Sequence, residues 1–164
     1  MSMKALTLTQ PWASLVALGA KRIETRCWRT HYRGTLAIHA AKGFPKWAKD
    51  TCNEPEFACE LGPSPLPVGA VIATCRLISC IPTRELQQNR VIEVDPVANA
   101  QDFYLDDRER AFGDYSPGRW AWLLADVLPC QPIPAKGSLS LWEWDDATHA
   151  PACGGQTRKV NKYR

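Results

Sequence analysis

The stretch GAKRIETRCWRTHYRGTLAIHA, residues 19–40, sets Lys21, Arg22, Arg26, Arg29 and Arg33 around one carboxylate, Glu24, with Trp28, His31 and His39 nearby. A carboxylate between arginines keeps its charge and orients their guanidinium groups, which can then reach a phosphate through paired hydrogen bonds. A carboxylate also accepts hydrogen bonds from the exocyclic amine of a base, and an indole such as Trp12 or Trp28 offers that base a stacking face. These residue types suit a nucleobase that carries a phosphate. The bland alternative is an ion pair that covers a sheet.

Spacing decides which of these side chains can meet. In a regular strand Arg22, Glu24, Arg26 and Trp28 share one face, and Lys21, Ile23, Thr25 and Cys27 the other. Lys21 meets Glu24 only if Lys21 still belongs to the turn after Gly19, so an irregular step is expected there. Lys21, Glu24, Arg26 and His39 should then line one concavity with Trp12 or Trp28 at its rim. His39, on a central strand, is either a hydrogen-bonded core residue or part of that site. Arg119 follows Gly118 at a strand start, where it either closes the cleft from the far side or caps a loop carbonyl. Trp120, Trp122, Trp142 and Trp144 read as packing, because alternating aromatics in strands usually serve that purpose.

The elements that must position these residues alternate between short strands and helices. Residues 5–9 alternate as a strand, Pro11 opens a helix that runs to Leu18, and Gly19 closes it. Strands follow at 21–28, 35–41 and 69–81, with the proline-rich loop 62–67 before the last. Pro45 starts a short helix through Trp47, and Thr83 caps another over 84–88. Residues 89–115 are acidic and poorly periodic, and read as a long excursion with helical turns near 102–112. Strands at 120–128 and 139–144 are joined by the proline-rich 129–137. Five or six strands with few helices predict an α+β fold, a closed or nearly closed mixed β-barrel with peripheral helices, since closure removes exposed edges.

Composition bounds the function classes. A chain of 164 residues with 45% hydrophobic content and seven tryptophans is one domain in size; residues 1–150 read as that domain and 151–164 as a basic, disordered tail. The longest apolar run is far short of a membrane span and the first ten residues lack a secretory pattern, so a cytoplasmic protein with no membrane association is expected. The seven cysteines form no CxxC pair, and Cys75, Cys80 and Cys130 are read as small buried hydrophobes. Cys52 and Cys59 with His39 or His31 match no usual zinc spacing, so no metal or other cofactor is expected. Net charge is +3, yet it is segregated: residues 1–50 hold nine Lys and Arg against Glu24 and Asp50, a net +7, whereas residues 51–146 carry seven against fifteen, a net −8. Segregated positive charge favours a polyanion partner.

The pattern Gly19-x-Lys21-x-x-Glu24-x-Arg26-x-Trp28, followed by Tyr32-Arg33-Gly34 and Ile38-His39-Ala40, resembles the signature of the ASCH domain family. The blocks Leu8-x-Gln10-Pro11-Trp12-Ala13, Gly118-Arg119-Trp120-Ala121-Trp122 and Pro132-Ile133-Pro134-x-Lys136-Gly137 also resemble that family, in order and over most of the chain. The resemblance implies a PUA-like fold with a cleft beside the Lys-Glu-Arg segment, and association with RNA, DNA or a modified nucleoside. Some members resemble amidohydrolases that deacylate the N4 position of modified cytidines, and one is linked to RNA cleavage. An enzyme of that kind would use Lys21 as base with Glu24 beside it, but the threonine expected three residues after the lysine is displaced to Thr25, and Glu85 and Glu109 are the candidates for a further glutamate. The expectation is therefore a nucleic-acid-binding site of Trp12, Lys21, Arg22, Glu24, Arg26, Trp28, His39 and Arg119, with deacylation second and a protein-interaction role for the acidic excursion third.

Overall fold

A computed structural model describes residues 2–86, 103 and 105–145. Along the chain run β1 (Ser2–Leu8), α1 (Trp12–Ala17), β2 (Ile23–Arg26), β3 (Gly34–Ala40), α2 (Lys46–Thr51), α3 (Pro55–Leu61), β4 (Ala70–Pro82), α4 (Thr83–Leu86), α5 (Asp107–Ala111), β5 (Trp120–Pro134) and β6 (Leu141–Asp145). The basic tail and most of the acidic excursion lie outside the described residues.

The strands form one mixed sheet in the order β2-β5-β4-β3-β1-β6. Only β1 and β3 pair in parallel, with Lys4 opposite Leu36 and Leu8 opposite Ala40. As its two-sided apolar pattern requires, β3 is central: Leu36, Ile38 and Ala40 pack with Leu6 and Leu8 on one side, and Ala37 packs with Ala5 and Trp144 on the other. The sheet is curled, and its end strands β2 and β6 are not hydrogen-bonded to each other. Three register shifts along the β4–β5 pairing supply curvature, since each bulge adds local twist. The curl brings β2 back toward β1, where an Arg26 Nη2 donates to the Thr7 carbonyl at 3.1 Å.

Two local features differ from expectation. Residues 129–134 are strand rather than connecting loop, because this part of β5 pairs with β4 alone and prolines are tolerated on an edge whose N–H positions face solvent. Cys130 is consequently exposed on that edge, whereas Cys75 and Cys80 are buried; burial pushes the Cys75 thiol up to about 12. A further helix, α3, begins with Pro55 in its first turn and buries Phe57 against Leu15 and Phe112. Thr83 is the first residue of α4, and its hydroxyl reaches the Ser116 and Arg119 carbonyls at 3.1 and 3.2 Å, tying the helix to the start of β5.

Candidate functional site

The site begins at the exit from α1. The Gln10 side chain accepts from the Ser14 N–H at 3.1 Å and donates to the Pro67 carbonyl at 2.6 Å, so it caps the helix start and ties it to the loop before β4. At the other end Gly19 adopts φ +75°, a left-handed conformation that glycine takes without strain. The chain reverses there and the Lys21 N–H donates to the Leu15 carbonyl at 3.0 Å. Lys21 thus precedes β2, and this irregular step turns its side chain to the Glu24 side of the strand.

Lys21 is the most buried charged residue of the cluster, with 1% of its surface exposed. Its ammonium donates to the Ile23 carbonyl and lies 3.8 Å from Glu24 Oε2 and 3.9 Å from Glu109 Oε1. Glu109 comes from α5, where the Asp106 carboxylate caps the helix by accepting from the Glu109 N–H at 2.7 Å. Its own carboxylate accepts from the backbone N–H groups of Arg22 and Ile23 at 2.9 and 3.0 Å. Burial raises its pKa above the ordinary glutamate value, opposed by Lys21 and by those two N–H donors. Burial and the neighbouring Glu109 carboxylate likewise push the Tyr115 phenol upward, and its hydroxyl lies 3.5 Å from Glu109 Oε1. Of the two glutamates considered as partners of Lys21, Glu109 meets it and Glu85 is exposed on α4.

Glu24 is held from the other side by Arg26, whose Nε lies 3.1 Å from Glu24 Oε1. That approach is a charge contact, because the buried Nε–H makes no aligned hydrogen bond. Glu24 and Thr25 open with Trp12 and residues 111–114 onto a cleft of about 340 Å³. The Thr25 hydroxyl accepts from the Asp114 N–H at 3.2 Å, which leaves its own proton free to donate. Trp12 forms one wall, braced by Trp47 at 5.8 Å and edge-on by Phe57 at 6.0 Å. Arg119 donates to the Thr25 carbonyl at 3.3 Å and lies 3.4 Å from Asp114, so it fastens the cleft wall instead of entering the cavity.

Three expected members stand elsewhere. The guanidinium of Arg22 lies over the Phe103 ring at 4.2 Å, so the carboxylate is flanked by Lys21 and Arg26 rather than by two arginines. Trp28 packs edge-on against Trp122 at 4.6 Å and joins the main core. His39 lines a separate cleft of about 800 Å³ with Thr7 and Gly137, because alternation along β3 puts it on the Ala37 face, opposite Leu36, Ile38 and Ala40. Thr7 lines the His39 cleft, and its carbonyl accepts from Arg26, the residue beside Glu24. Sequence reasoning missed Thr7 and Asp114; neither carries a local signal, since each acts through contacts with distant segments. Among the described residues no three His, Cys, Asp or Glu gather as a metal site, and no helix is long and apolar enough to cross a membrane.

A family model described as the ASCH domain matches residues 6–133. The chain belongs to the ASCH domain family. It is 32% identical over 88 residues to mouse activating signal cointegrator 1 and 31% identical over 88 residues to the human protein of that name. Each match spans 51% of this chain but 15% of the relative, so it concerns the shared domain only. The crystal structure of ASCH from Zymomonas mobilis superposes with a TM-score of 0.51 at 16% identity, covering 88% of each chain. That likeness is one of fold, and the curled α+β sheet is the PUA-like ASCH arrangement, with the Lys-Glu-Arg signature at the junction of α1 and β2.

Proposed function

We propose that this ASCH domain binds nucleic acid, RNA above all, by receiving one nucleobase in the cleft between Trp12 and Glu24. The observation that carries the reading is the suspended carboxylate: Glu24, largely buried, is held between Lys21 at 3.8 Å and Arg26 at 3.1 Å while it lines an open cleft. Two cations fix its direction. A fixed carboxylate accepts from a base's exocyclic amine, the Thr25 hydroxyl donates to the neighbouring ring nitrogen, and Trp12 supplies the stacking wall. The cavity lies at the small end of ligand sites, about 300–1,000 Å³, and so suits one base rather than several. Arg26 and the segregated basic residues of the N-terminal third attract the phosphate chain.

Deacylation of an N4-acylated cytidine is the second reading, favoured by one observation: Lys21 and Glu109 form a buried ion pair directly behind Glu24. Against it, the ammonium is covered, is bound to the Ile23 carbonyl, and is not among the groups lining the cleft. Binding of single-stranded RNA to the wild type and to Glu24→Gln, measured beside acetate release from N4-acetylcytidine, separates the two. The binding reading expects an affinity loss of about 1–3 kcal/mol and no turnover. Turnover abolished by Lys21→Ala with RNA affinity unchanged would replace it with the enzymatic one.

A further inference from the structure

The loop 27–33, which joins β2 to β3, carries positive charge that the base cleft does not use. Between Glu24 and Asp50 the chain holds Arg26, Arg29, Arg33, Lys42, Lys46 and Lys49 and no carboxylate. Arg26 pairs with Glu24, and Lys46 with Asp50. Arg29 and Arg33 are exposed, and their contacts among the described residues are a ring and two backbone carbonyls, not carboxylates.

Both side chains are nevertheless held. The Arg29 guanidinium lies over the Trp120 ring, 5.2 Å from its centroid. Arg33 Nη1 donates to the Thr30 and Tyr32 carbonyls at 3.1 and 2.7 Å, which folds the guanidinium back to the residue next to Arg29. The loop beneath them is fixed as well. Trp28 packs against Trp122 and its carbonyl accepts the Trp122 indole N–H at 3.4 Å, while the buried Thr30 hydroxyl accepts from the Tyr32 N–H at 3.1 Å. A guanidinium stacked on an indole, or bound to carbonyls through one nitrogen, is ordered without being neutralised and keeps N–H donors for an anion.

The loop continues the face on which Glu24 stands. In the β2–β5 register Glu24 is opposite Trp122 and Arg26 opposite Trp120, so these four share one side of the sheet. Along that side the order from the cleft outward is Glu24, then Arg26 with Trp120, then Arg29. We propose that Arg29 and Arg33 hold two successive phosphates of a single-stranded RNA whose base occupies the Trp12–Glu24 cleft, so that the ligand is a strand and not a free nucleoside. The inference rests on the base-cleft reading and adds to it the class of ligand: a nucleoside fills the cleft but offers these arginines no anion.

The test measures binding of a labelled single-stranded RNA by fluorescence anisotropy across a salt series. Each phosphate contact on a single strand contributes about 0.7 to the slope of log affinity against log salt. Arg29→Gln/Arg33→Gln should therefore lose about 1.4 of that slope and bind roughly tenfold more weakly at about 0.15 M salt. Arg29→Lys/Arg33→Lys keeps both charges and should restore most of the slope, which a merely structural role of the arginines would not do. An unchanged slope in the Gln variant, or an affinity loss that leaves the slope alone, overturns this inference and leaves the base-cleft reading standing. A slope lost in the Gln variant while Glu24→Gln binds as tightly as the wild type keeps the phosphate contacts and overturns the base-cleft reading. No binding of RNA by the wild type overturns both.

Discussion

Replacing Lys21 by methionine removes one charge from the interior while keeping most of the apolar stem. In the wild type that ammonium is the shared counterion of Glu24 at 3.8 Å and Glu109 at 3.9 Å, and it satisfies the Ile23 carbonyl as well. Its loss leaves Glu109, enclosed by Ile23, Tyr115 and the α1–β2 turn, with two backbone N–H groups and a phenol for compensation. Breaking a buried ion pair from one side costs about 3–5 kcal/mol, since the remaining charge keeps its desolvation penalty. For a chain of this size that corresponds to a fall in Tm of roughly 6–20 °C. Urea unfolding followed by tryptophan fluorescence at neutral pH measures the difference. The double variant Lys21→Met/Glu109→Gln should recover a clear part of the loss, because the stranded carboxylate is then gone. A single-variant loss below about 1 kcal/mol, the range of an exposed pair, would refute the picture of Lys21 as a buried counterion.

Burial holds the Glu109 pKa above 4.5, so the folded state retains a proton that the unfolded chain has already released. Stability should therefore decline as pH rises from about 4.5 through the native value and level off beyond it, and Glu109→Gln should remove that slope in pH-dependent urea unfolding. His39 is shifted the other way, below 6.5, so the unfolded chain takes up its proton first and stability should fall as pH drops below 6.5 toward the native value; His39→Phe should flatten this segment. RNA affinity should weaken with rising salt by roughly one counterion per phosphate contacted, read from the slope of log affinity against log salt.

Residues that act through their immediate neighbours were legible in the sequence. Pro11 and Gly19 bracket α1, the alternation in residues 35–40 marks a central strand, and the spacing of Lys21 and Glu24 demands the irregular step that Gly19 supplies at φ +75°. What escaped depends on segments far apart in the chain. Nothing local says that Arg22 lies over Phe103, that the face of β3 bearing His39 opens onto a cleft of its own, or that β5 continues through Pro129 and Pro132 as an edge paired with β4 alone. Glu109 is the middle case: the sequence puts helical turns near 102–112 and offers Glu109 as one of two candidate glutamates, but only the return of α5 onto β2 identifies it as the partner of Lys21.

The central claim is that a base enters the cleft bounded by Trp12, Glu24 and Thr25, and nuclear magnetic resonance of the protein titrated with short single-stranded RNA tests it most directly. The account predicts saturable upfield shifts of the Trp12 ring protons, together with shifts of the backbone amides of Thr25 and residues 111–114, all abolished in Glu24→Gln at the same RNA concentration. Saturable shifts confined to other surfaces, such as the apolar groove between Leu18 and Pro132, with the Trp12 resonances unmoved, would contradict it.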